Sequence, residues 1–376
     1  MKVYLDNAAT TPIGPEIIDL MNEMMRSHFA NPSSIHSFGR ESKIIVENAR
    51  KSIAKLLNTS PGSIFFTSGG TEADNMAIKC AIHDHNIKHA ITSKIAHHAV
   101  LYPLQDLAND GVIKLSYVEI DNHGIVSLSH LEELLKDSDR TFVSIMHANN
   151  EIGTIQDLKR IGDICKDYNA IFHSDTVQTI GHYPFNMQEL NVDFMAASAH
   201  KFHGPKGVGF IYISENVKIK PLLRGGGQER NMRAGTENIH GIAALAMAME
   251  IAYENLEEEV KYIKNLKIYM IERLQEEIDD VQFYGRCTDM DNSLYTVLSC
   301  HFPETDIAEM LLFNLDILGV ACSGGSACAS GGSKGSHVLA ELLPDSKRPG
   351  IRFSFSKYNT KKDIDFAVAK LKELYS

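Results

Sequence analysis

A lysine closing an apolar run is the first residue here with unusual chemical potential. In Met195–Gly207 (MAASAHKFHGPKG) a strand-like stretch leads into Ser198, His200 and Lys201. Such a lysine is costly to bury unless it is neutralised or bonded. A Schiff base with an aldehyde cofactor resolves that cost; a surface lysine opening a Gly/Pro loop is the competing reading. Asp175 shifts the balance. Phe172–Gln178 (FHSDTVQ) sets this carboxylate at the end of the preceding apolar strand. Pyridoxal 5'-phosphate (PLP) acts as an electron sink only while its ring nitrogen stays protonated, which needs a nearby carboxylate. Alone, Asp175 reads as a helix cap; paired with Lys201, it reads as the ring-nitrogen partner.

Four further motifs fit around that pair. Phe66–Asn75 (FTSGGTEADN) follows a strand and opens a helix, whose N-terminal amides suit an anion. It lacks the Gly-Lys-Ser/Thr ending of a nucleotide P-loop, and a plain capped helix is the alternative. His97, in Ile95–Leu101 (IAHHAVL), precedes a helix and could lie against a flat ring, or simply cap. Cys328 sits in the Gly/Ser-rich Val320–Ser333. A cysteine in a polar loop is accessible and can be a nucleophile; a metal pair or a disulfide with Cys322 competes. Cys322 follows the apolar run Ile317–Ala321 and is expected to be buried. Arg352, alone among apolar residues in Gly350–Phe355 (GIRFSF), suits a bidentate carboxylate clamp, with a structural ion pair as the alternative.

These residues need a scaffold. Ser63–Thr67, His89–Thr92, Ile113–Val118, Thr141–His147, Ala170–Ser174, Val192–Ala197 and Gly207–Ile213 read as strands, several continuously apolar as in a parallel sheet covered on both faces. Arg40–Leu57 reads as an amphipathic helix with Ile44, Ile45, Ala49, Ile53 and Leu56 on its stripe. The alternation predicts a large, doubly wound, mainly parallel α/β domain over residues 14–255. Its ligands belong beyond the carboxyl ends of the strands. A long helical pattern from Ile239 to Ile278 is expected to cross into a smaller α+β domain, residues 1–13 with 256–376. Within it, the Gly-rich Ser323–Gly335 reads as an exposed mobile loop.

Composition narrows the class. The 376 residues are 44% hydrophobic and 23% charged, as in an ordinary globular chain, with a net charge of −11 that disfavours nucleic acid and anionic membrane. Six dispersed cysteines suit a reducing compartment rather than a disulfide scaffold or zinc ribbon. With no signal-like start and no membrane-length apolar run, a cytoplasmic protein is expected.

Read together and in order, DNAATTP (Asp6–Pro12), NPSSIHSFGR, SGGTEADN, HANNEIGTIQD, HSDTVQ, SAHKFHGPKG, GGGQERNMRAGT (Gly225–Thr236), SGGSACASG and IRFS resemble the class V aminotransferase-fold proteins, most closely cysteine desulfurases of the NifS/IscS type. The resemblance runs from Asp6 to about Arg352. It implies the aspartate-aminotransferase-like PLP fold, with Lys201 carrying the cofactor, Asp175 on the ring nitrogen and Gln178 near the ring oxygen. His97 would stack on the ring and serve as a possible acid/base, and Asn150 would touch cofactor and substrate. Gly70, Thr71, Ser198 and His200 would hold the phosphate, with Thr236 reaching the phosphate of a neighbouring subunit in a homodimer. Cys328 would carry a persulfide, Arg352 would clamp the L-cysteine carboxylate, and Asn7 and His36 would line the substrate side. No metal is implied. Partners would be iron–sulfur scaffold proteins or other sulfur acceptors, including those serving tRNA thiolation.

The chain departs from common relatives at Ala96 (often Glu), Asn231 (often Gly), Gln228 (His in some) and the residues after Cys328. Rival readings are an aminotransferase or selenocysteine lyase on the same fold, a catalytically silent sulfur carrier or scaffold, and a metal-binding regulator. The joint presence of Lys201, Asp175 and Cys328 argues against a silent protein.

Overall fold

A computed structural model describes residues 1–136, 140–324 and 336–375. The chain opens with β1 (Val3–Tyr4), α1 (Pro15–Ser27) and α2 (Ser37–Leu56). Then β2 (Ile64–Thr67), α3 (Gly70–Asp84), β3 (His89–Thr92), α4 (His98–Asn109), β4 (Lys114–Tyr117), α5 (Leu128–Lys136), β5 (Phe142–Ser144), α6 (Leu158–Asp167), β6 (Ile171–Asp175), β7 (Phe194–Ser198) and β8 (Gly209–Ile213) build the main layer. All seven expected strands form, within two or three residues of their sequence bounds. They make one sheet in the order β2-β8-β7-β6-β5-β3-β4, in which only β8 runs against its neighbours.

The two-residue period of these strands divides their side chains between two cores. Phe66, Ile91, Val143, Phe172, Met195 and Phe210 face the layer containing α1, α2 and α7 (Ile239–Glu254). Their neighbours Phe65, Ala90, Phe142, Ile171, Phe194 and Ile211 face α3 and α4. Adjacent apolar residues can both be buried because helices cover both sheet faces.

Two details of the helices differ from expectation. Ile44 is 58% exposed, whereas Val46, Ala49, Ile53, Ala54 and Leu57 are buried. The stripe of α2 is therefore rotated, with Ile44 on its outer edge. The long pattern from Ile239 also breaks at Asn255, whose backbone ends α7 and precedes α8 (Leu256–Glu277).

Beyond the break, β9 (Gln282–Phe283), β10 (Val297–His301), α9 (Leu311–Ile317), β11 (Val320–Ala321), α10 (His337–Leu342), β12 (Gly350–Ser354) and α11 (Lys361–Tyr375) follow. β12, β10 and β9 form an antiparallel sheet, while β11 pairs with β1. Val3 and Leu5 share an apolar cluster with residues from Ile263 to Leu371. The first residues thus pack with the last third of the chain.

Arg50 and Glu229 form a buried pair, with guanidinium and carboxylate joined by two 2.8 Å bonds. Removing one member leaves the other charged and unpaired. Arg50→Gln is expected to cost about 3–5 kcal/mol of stability, measured as a lowered urea midpoint with an unchanged denaturant slope.

Candidate active site

Five loops at the carboxyl edge of the large sheet converge on a cavity of about 300 Å³. Lys201 comes from the 3₁₀ turn after β7, Asp175 from the end of β6, and Gly70 and Thr71 from the turn after β2. His97 comes from the loop after β3, and Asn150 from the segment after β5. Arg352 reaches the same cavity from β12. Gln178, Ser198 and His200 complete the set of expected residues in its wall.

Local bonding fixes several of these groups. Lys201 Nζ donates to the carbonyls of Ala8 (2.6 Å) and Ala9 (2.9 Å), so the amino-terminal segment forms part of the wall. Gln178 Nε2 also donates to Ala8 O, and His200 Nδ1 lies 3.1 Å from Thr10 Oγ1. Asp175 accepts from the Val177 amide at 3.0 Å. His97 caps α4 by accepting from the Ala99 amide, so the capping role and a place in the wall coexist in one residue.

The turn before α3 uses glycine for two separate reasons. Gly69 has φ of 153°, outside the usual range of an L side chain. A Cβ on Gly70 would lie 2.5 Å from Val177 Cγ2. Bare backbone at a helix N-terminus is the arrangement that receives a phosphate. With a lysine, a carboxylate placed to meet a ring nitrogen and this turn facing one cavity, the residues present fit PLP.

Arg352 is buried, forms the structural ion pair and also faces the cavity. Its guanidinium donates to Asp6 Oδ1 (2.8 Å) and to Asn150 O (2.9 Å) while facing the cavity. Its backbone exchanges hydrogen bonds with Ser323, where the cysteine-bearing segment begins. Cys328 itself, and Gly325–Gly335 of the expected loop, lie outside the described residues. Cys322 is half-buried, and burial pushes its thiol up to about 12.

Three expected residues lie away from the cavity lining. Asn7 is buried and donates to Ser354 O and Asn359 Oδ1. His36 is exposed and caps α2 through the Gly39 amide. Thr236 is exposed on the segment before α7. Among the described residues, no group of three or more His, Cys, Asp or Glu could hold a metal, and no helix is long and apolar enough to cross a membrane.

The cavity also contains groups not singled out from the sequence. Asp74 lies one turn beyond Gly70 on α3, and that four-residue spacing was a usable signal. Burial, reinforced by Asp175, pushes its carboxyl well up; His173 Nε2 lies 3.2 Å away. Glu151 bonds Ser336, and His337 Nε2 meets Ala96 O at 3.0 Å. No short-range pattern marks these last contacts.

Burial holds several imidazoles neutral, with His147, His200 and His203 each pulled down to about 4 from 6.5. Between those values the unfolded chain binds more protons than the folded one. Stability is therefore expected to be full above about pH 6.5 and to fall as pH drops towards about 4. Urea midpoints at pH 7, 5.5 and 4.5 would check the slope.

Comparison with known proteins agrees with this geometry. The class V aminotransferase family model matches residues 3–366. Cysteine desulfurase IscS of Dictyoglomus turgidum is 43% identical over 377 aligned positions, covering 99% of this chain and 94% of that relative. A solved NifS-like protein superposes with a TM-score of 0.91 at 38% identity, covering 100% of this chain and 99% of that one. SspA, solved in complex with cysteine, gives 0.80 at 28% identity, covering 95% and 100%. With the lysine, carboxylate and glycine turn in one cavity of a matching fold, the chain belongs to the class V aminotransferase family and is one of its PLP-dependent enzymes.

Proposed function

We propose that this enzyme is a cysteine desulfurase, moving sulfur from L-cysteine to Cys328 and releasing L-alanine. The observation that carries the reading is the convergence of Lys201, Asp175 and Arg352 on one cavity. Relatives named cysteine desulfurase, and a structural neighbour solved with cysteine, support the same substrate.

PLP, when bound, supplies a ring that stabilises negative charge at the substrate α-carbon. Lys201 would carry the cofactor and then move the α-proton. Asp175 would hold the proton on the ring nitrogen, Gln178 would meet the ring oxygen, and His97 would hold the ring from one face and serve as an acid/base. Gly70, Thr71, Ser198 and His200 take the phosphate. Arg352 would bind the substrate carboxylate, with Asn150 on the substrate side. The Cys328 thiolate attacks the substrate sulfur, forming an S–S bond as the C–S bond breaks. The electron pair of the broken bond stays with carbon, which takes up a proton to become alanine. No external oxidant is needed.

We further propose a cytoplasmic homodimer in which Thr236 reaches the partner's phosphate, with sulfur passing to iron–sulfur scaffold or tRNA-thiolation proteins. An exposed apolar group on and beside α1 and α2 supports the dimer: Ile35 is 91% exposed, Phe29 73% and Phe38 55%. We place the division between the large and small domains at the Asn255 break.

The deciding assay follows alanine and sulfide after L-cysteine and a thiol reductant are added to purified protein. Equal amounts of both products are expected. A PLP-loaded protein yielding neither would overturn the cysteine reading in favour of another amino-acid substrate, selenocysteine first.

A further inference from the structure

The phosphate turn leaves an edge strand, and that edge is covered by side chains instead of another strand. β2 bonds only β8 within its sheet. On alternate residues its outward backbone groups meet charged partners. Ile64 O accepts from Arg50 Nη1 (2.7 Å) and Arg230 Nη2 (2.7 Å). The Phe66 amide donates to Glu229 Oε2 (2.8 Å), and the Ser68 amide, in the turn itself, donates to Glu72 Oε2 (2.8 Å). This series satisfies an edge that would otherwise offer unpaired backbone groups.

A carboxylate is an unexpected choice beside an anion site. Glu72 lies in the first turn of α3, immediately after Gly70 and Thr71. Arg233 neutralises it through two bonds, Nε–Oε1 at 2.8 Å and Nη2–Oε2 at 3.1 Å. Burial raises the Glu72 carboxyl, but Arg233 and Ser68 outweigh it and hold it below the usual range. Arg233 belongs to the segment in which Glu229, Arg230 and Asn231 have φ of 44°, 55° and 66°. Three successive non-glycine residues in the left-handed region persist only where surroundings fix them. Here the Arg50–Glu229 pair and the Arg230 and Arg233 contacts do so.

We propose that Glu72 and Arg233 are positioning residues for the cofactor phosphate. Glu72 joins the Ser68 amide to the first turn of α3, and Arg233 fixes Glu72 from the strained segment. The backbone amides of Gly70 and Thr71 are thereby held in place for the phosphate. The inference rests on the phosphate placement proposed above.

The test compares PLP with pyridoxal, which has the same ring and aldehyde but no phosphate. Both are titrated into apoprotein and followed by visible absorbance. Wild type is expected to prefer PLP strongly; equal affinities would sink the phosphate placement itself. Glu72→Gln is expected to weaken PLP about tenfold, consistent with loss of one charge-assisted contact, while leaving pyridoxal affinity unchanged. Arg233→Lys, which keeps the charge but loses the fork, should show the same selective change at smaller size. It serves as the measure if Glu72→Gln does not fold. Equal weakening of both ligands, or no weakening of either, would overturn the positioning role.

Discussion

Lys201→Ala is expected to remove the cofactor-linked visible absorbance and to lower alanine and sulfide production by about a thousandfold or more, given the size of acid–base contributions alone. Lys201 has two roles in the proposed chemistry, carrying the cofactor and moving the α-proton, so both fail together. The carbonyls of Ala8 and Ala9 lose their ammonium donor as well. Far-UV circular dichroism should confirm that the variant folds. A folded variant that keeps near-normal turnover would remove Lys201 from the mechanism.

Cys328→Ser should separate cofactor chemistry from sulfur transfer. PLP binding and the spectral response to L-cysteine are expected to survive, because none of the groups assigned to the ring changes. Sulfide and alanine production should fall below about one hundredth of wild type, since a hydroxyl cannot replace the nucleophilic thiolate. Mass spectrometry after exposure to L-cysteine would find one added sulfur on wild type and none on the variant. Persulfide formation by Cys328→Ser would move the acceptor role to another cysteine. Cys322→Ser is the control: that thiol, pushed up to about 12, stays protonated at neutral pH and should be dispensable.

Much of the fold was legible because its strands are short, apolar and separated by regular helical patterns. The sites at strand ends, Lys201 and Asp175, were legible for the same reason: a charged residue closing an apolar run is a local signal. The stripe of α2 was partly misread because Ile44 and Val46 are equally apolar, and only tertiary packing decides which faces the core. The break at Asn255 was hidden by helical patterns on both of its sides. Contacts such as Arg352–Asp6 and Lys201–Ala8 join residues 346 and 193 positions apart, beyond any local periodicity. Asn231 has a physical reading too: at φ 66° it lies in the left-handed region, which asparagine tolerates better than most residues.

The backbone bridge between Ser323 and Arg352 sets a limit on distance. Ser323 is bonded to the strand that carries Arg352, and Cys328 follows five positions later. Five residues, however they are arranged, span at most roughly 17 Å. If Cys328 carries the sulfur as proposed, a molecule taking it without breaking that bridge must bring its accepting atom within about that distance of Ser323, extended by the few ångströms of the cysteine side chain and its sulfur. On the proposed roles of Arg352 and Cys328, the reach of sulfur delivery is therefore measured from the substrate clamp.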